Sequence, residues 1–164
     1  MADPASVLAA WARIWSPVVP APLQREAWEA LSLPEDFEPS APAMTECFHS
    51  GLPAPRVPLL LHAALGQDGA ASRDTWVRIM EHLALEWQEV TLPPDHLAVA
   101  CEALACAHAR REEVLISEVP TRFLLPWCEL ACSRLSETPL AFLPERFAGD
   151  LRSIANTAYP DRGG

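Results

Sequence analysis

Positive charge is scarce in this chain. Twelve Lys and Arg stand against 22 Asp and Glu, a formal net charge of −10 with a pI near 4.8. Such a chain repels a nucleic-acid backbone or an anionic membrane surface and attracts a cationic partner such as a basic peptide. The same acidity also keeps a protein soluble. No apolar run approaches the roughly 18 residues that span a bilayer. The opening "MADPASVLAAWARIW" lacks a basic n-region and an A-x-A site, so no secretory signal is expected. No alternating β pattern stands out, no Asn-Gly or Asp-Gly joins two β-branched runs, and no repeat period is present. Also missing are G-x-S-x-G, H-E-x-x-H, P-loop and G-x-G-x-x-G signatures.

What is present is an ordinary globular composition. Half of the 164 residues are hydrophobic and 21% are charged, enough for one domain with a real core. The five cysteines are odd in number and four lie inside helical patterns. That usage predicts reduced thiols in a cytoplasmic protein rather than a disulfide framework.

The hydrophobic period is helical nearly throughout. Val7, Leu8, Trp11, Ile14 and Trp15 form one stripe, stopped by Pro17 and Pro20. A short second helix carries Leu23, Trp28 and Leu31. Residues 32–57 are rich in proline and acid, show no period, and read as an irregular crossing or loop. Pro58 then opens "PLLLHAAL", which Gly66 closes. Ser72 is placed to cap a helix with the stripe Trp76, Ile79, Met80, Leu83 and Trp87. The next helix runs from 95 to about 115. Beyond Pro120 the pattern continues through Phe123, Leu124, Trp127 and Leu130 with a break at Pro126, and Phe147, Leu151 and Ile154 form a last stripe after Thr138 and Pro139. The expected fold is an all-α, single-domain helical bundle over residues 1–164.

The stretch "LPPDHLAVACEALACAHARREE", residues 92–113, gathers Asp95, Glu102, two histidines and two thiols. A helical wheel at about 100° per residue disperses them. Leu97, Cys101, Leu104 and His108 share one face, Glu102 lies at the edge of the next flank, and Cys106 points about 140° away from Cys101. Cys101 and His108 are two turns, roughly 10 Å, apart along the axis, too far to share one zinc. A helix apolar almost all round is a central, buried one. Asp95, after two prolines, suits a helix start, where it would complement exposed N–H groups. His62 and His82 read as surface or core histidines. Cys128 and Cys132, at i and i+4, share a face and offer two metal ligands, although small core residues are their plainer reading. Trp87 and Trp127, beside proline-containing joints, are candidates for a partner surface.

Two blocks in this order, "LPPDHLAVACEALACA" and "FLLPWCELACSRL" (123–135), resemble the signature of the TorD/DmsD/NarJ family of molybdoenzyme maturation chaperones. "VPLLLHAAL" has the place of a third, weaker block, and the resemblance covers about residues 57–155. The chain departs from the family at Ala100, where a glutamate is usual, at Ala103, where an aromatic is usual, and at Phe123, which replaces a histidine. Its flavour is closer to the branch serving type II dimethyl-sulfoxide-reductase-family enzymes.

The resemblance implies a TorD-like bundle and a cytoplasmic, non-enzymatic chaperone with no cofactor of its own. Its partner would be the apo catalytic subunit of a molybdenum oxidoreductase, or that subunit's twin-arginine signal peptide, held until the molybdenum cofactor is inserted. Pro94, Asp95 and His96 would touch the client or fix the joint that shapes its groove. Glu102 would supply charge, and Trp87 and Trp127 apolar surface. A monomer is expected, with domain swapping open to it. Two other classes remain open: a small metal- or cofactor-binding enzyme using Cys128, Cys132 and a histidine, and an accessory subunit of the mature oxidoreductase.

Overall fold

Asp3 begins the first helix by accepting a hydrogen bond from the Ser6 backbone N–H at 3.0 Å, with Pro4 in the first turn where no N–H is missed. This helix, α1 (Pro4–Trp15), buries the expected Leu8, Trp11, Ile14 and Trp15 and ends before Pro17. The computed structural model describes residues 2–86 and 92–158. After α1 come α2 (Ala21–Ala30) and α3 (Phe37–Met44), the latter running on into a π-helical turn at Thr45–His49. Then follow α4 (Leu61–Leu65), α5 (Gly69–His82), α6 (Leu97–Arg110) and α7 (Glu113–Val119). A second π-helical turn, Pro120–Leu124, leads directly into α8 (Leu125–Leu135), and α9 (Phe142–Ala158) closes the described chain. The architecture is all-α; among the described residues the β-type pairing is a single antiparallel bridge between Leu60 and His96.

The centre of the molecule is α6. Eight of its fourteen residues are buried, among them Ala98, Ala100, Ala103 and Ala107. Small side chains on several sides let neighbouring helices lie close, and α1 packs along it most extensively. Over that pair sits an aromatic cluster: Trp11 stacks on Trp15 at 5.5 Å, and Trp15 meets Trp127 edge-on at 5.1 Å and Phe147 at 5.5 Å. Aromatic contacts of this kind add to the area they bury, so residues from α1, α8 and α9 are locked around one point.

Several local expectations are corrected. Residues 32–57 are not irregular throughout, because α3 and its π turn occupy Phe37–His49. Pro39 stands in the first turn of α3, where its missing N–H is harmless, and Phe37, Ala41, Met44 and Phe48 recur at helical spacing. Pro58 does not open α4, which begins at Leu61. Gly66 does close it, at φ 64. Ser72 does not cap α5; the Asp68 carboxylate accepts from the Ala71 N–H at 2.8 Å, and Ser72 is buried inside the helix.

The helix expected from 95 to about 115 is two. Arg111 adopts a left-handed φ of 58 that ends α6, and α7 starts at Glu113. No break occurs at Pro126. The preceding turn widens instead, so that Leu125 N–H reaches Pro120 O, and Pro126 falls in the first turn of α8. Trp87 lies outside the described residues.

Candidate functional site

Residues 57–61, which lead into α4, form a strap that the rest of the fold grips from several sides. Val57 N–H donates to Cys47 O at 3.0 Å. From α8, Arg134 donates to Arg56 O at 3.2 Å and the Trp127 indole N–H to Pro58 O at 2.9 Å. From the joint before α6, Leu97 N–H donates to Leu59 O at 2.8 Å, while Leu61 N–H donates back to Asp95 O at 2.9 Å. The Leu60–His96 bridge is this exchange.

At the joint the sequence pairs two neighbours, but the structure gives them separate tasks. Pro94, Asp95 and His96 are all buried. His96 is the N-cap of α6, its Nδ1 accepting from Ala98 N–H at 3.1 Å. The reading of Asp95 as the residue that complements the helix start is therefore corrected: one position further upstream, it faces α4 instead. Asp95 is fully buried, and its Oδ2 meets His62 Nδ1 in a short contact and accepts the His62 backbone N–H at 3.3 Å. Its Oδ1 has no hydrogen-bond partner among the described residues.

Burial, with the nearby His49 adding to it, lowers the His96 pKa to about 4, against a smaller opposing pull from Asp95. His96 is thus neutral at pH 7, as a cap that accepts through Nδ1 requires. Sequence reasoning passed over His62 as a functional partner. Its only signal was its place in the weak "VPLLLHAAL" block, since no local rule pairs residues 33 apart.

The remaining candidates separate. Glu102 is exposed on α6, although neighbouring atoms shield its carboxyl enough to raise its pKa. Trp127 does not line apolar surface: it is fully buried within the aromatic cluster, because α8 turns it inward toward Trp15 and Pro58. Cys128 is buried and Cys132 half-buried. Burial is the largest cause raising both thiol pKa values, which disfavours the thiolate that binds metal. Among the described residues no three His, Cys, Asp or Glu side chains are grouped to hold a metal ion.

Three surface clefts of about 190, 260 and 280 Å³ lie elsewhere, and none is lined by Pro94, Asp95 or His96. The joint is therefore a buried fastening between α4 and α6. Among the described residues no helix is long and apolar enough to cross a membrane. Compared with known proteins, the chain matches no family model, no curated protein and no solved structure.

Proposed function

We propose that this protein is a dedicated, non-enzymatic maturation chaperone of the TorD/DmsD/NarJ kind. In this reading it works in the cytoplasm, binds the apo catalytic subunit of a molybdenum oxidoreductase or its twin-arginine signal peptide, and holds it for cofactor insertion. One observation carries the reading. The three sequence blocks of the resemblance, far apart along the chain, converge on a single hydrogen-bonded node, the strap at 57–61. Trp127 of "FLLPW" donates to Pro58, and Asp95 and Leu97 of "PPDHL" exchange hydrogen bonds with Leu59 and Leu61 of "VPLLL". A signature whose parts share one structural joint has a reason to occur together. The departures at Ala100 and Ala103 fall on buried positions of the central helix α6, where small residues let neighbouring helices approach.

Within this reading Pro94, Asp95 and His96 shape the scaffold and do not touch the client. Glu102, exposed, remains a carboxylate available to a basic n-region. The metal-enzyme alternative is disfavoured by the lack, among the described residues, of a third ligand for Cys128 and Cys132. Calorimetric titration with the apo catalytic subunits of the molybdenum oxidoreductases made by the same cell, and with their signal peptides, tests the proposal. Binding of either supports it. No binding, together with normal cofactor loading after gene deletion, refutes it, and co-purification with the exported holoenzyme would make the chain an accessory subunit instead.

A further inference from the structure

Among the described residues the most exposed large hydrophobic side chain is Leu52, at 97%. It stands at the tip of the loop between the first π turn and the strap, with Pro53 and Ala54 also exposed beside it. The loop that carries it is anchored at its root.

At its root Ser50 N–H donates to Thr45 O at 3.0 Å, Val57 N–H to Cys47 O at 3.0 Å, and Arg134 to Arg56 O at 3.2 Å. Between these anchors the chain doubles back on itself. A Cβ on Gly51 would stand 2.6 Å from Ala54 O and 2.9 Å from Pro55 Cα, so glycine alone permits the approach. Pro53 and Pro55 fix two further φ angles. Arg56 and Arg134, both exposed, place positive charge at the base of the knob in a chain whose net charge is −10.

We propose that Leu52 is a docking knob for a folded protein surface with a concave apolar pocket and an acidic rim. The shape decides the class of occupant. An extended or helical signal peptide is itself convex and needs a groove, whereas a rigid projecting leucine needs a cavity, which a folded, cofactor-empty subunit offers and a short peptide does not. Resting on the proposed chaperone function, this assigns the knob to the mature part of the client and leaves the signal peptide to another surface.

The test measures binding of the full-length protein to the folded apo catalytic subunit lacking its signal peptide, and separately to the synthetic signal peptide. Leu52→Asp is expected to weaken subunit binding by about tenfold or more, Leu52→Ala by less, and Leu52→Met hardly at all. Peptide binding and the circular-dichroism melt should be unchanged in all three, because the side chain touches nothing in the free protein. Equal subunit affinity for wild type and Leu52→Asp overturns the knob and leaves the chaperone reading standing. Wild type that binds only the signal peptide has the same consequence. Wild type that binds neither overturns both.

Discussion

His62 and Asp95, 33 residues apart in sequence, meet through Nδ1 and Oδ2, and the carboxylate is wholly buried while the imidazole reaches the surface edge. This pair, with the backbone bridge beside it, fastens α4 to the start of α6. Removing the imidazole would leave a buried carboxylate with neither oxygen paired to a side chain. His62→Ala is expected to destabilise by roughly 3–5 kcal/mol, and His62→Ala with Asp95→Ala by less than the sum of the two single changes. A double-mutant cycle by urea denaturation checks this, and strict additivity would remove the pair as an energetic unit.

Trp127 combines full burial with a hydrogen bond to Pro58 O. Trp127→Ala should cost about 3–5 kcal/mol, and Trp127→Phe should keep much of the packing while forfeiting about 1 kcal/mol for the bond. Because the indole sits between Trp15 and the strap, its fluorescence should shift to the red only on global unfolding.

The His96 pKa near 4 makes stability depend on pH. In the unfolded chain this histidine titrates near 6.5. Between those values the unfolded state binds more protons, so stability rises with pH. The contribution is complete above about 6.5, falls as pH drops, and is gone below about 4, a loss of about 3 kcal/mol. His49 and His108, also lowered by burial, act in the same direction. Melting temperatures measured from pH 7.5 to 4 should decline through this window, and His96→Asn, which still offers a capping oxygen, should flatten the decline.

Arg111 holds a left-handed φ of 58 to end α6. Glycine takes that conformation without strain, so Arg111→Gly should stabilise by about 0.5–1 kcal/mol. Gly66→Ala, at φ 64 with open space around it, should destabilise by a similar amount. Thermal melts of the two variants should move in opposite directions.

Thiol accessibility follows burial. Cys47, Cys101 and Cys128 are buried, with burial raising their pKa values, whereas Cys106 and Cys132 are half-buried. A thiol reagent at pH 7 should label only Cys106 and Cys132 in the native protein, and all five in denaturant. Rapid native labelling of Cys101 would contradict the central position of α6.

Residue order alone determined the helical class, the buried and alanine-lined character of α6, the α1 stripe and the Gly66 stop. Each is a consequence of periodicity or of local backbone preference, which a short window of sequence contains. The helix at Phe37–Met44 was also present in that period, but the prolines around it hid the spacing of Phe37, Ala41, Met44 and Phe48. Tertiary structure alone decided that Asp95 pairs with His62 and leaves the cap to His96. It also decided that Trp127 points into the core, that a π turn absorbs the proline pair at 120 and 126, and that Leu52 is exposed on an anchored loop. The reason is physical: each of these depends on which distant segment lies opposite, and neither a helical wheel nor a propensity scale contains that distance.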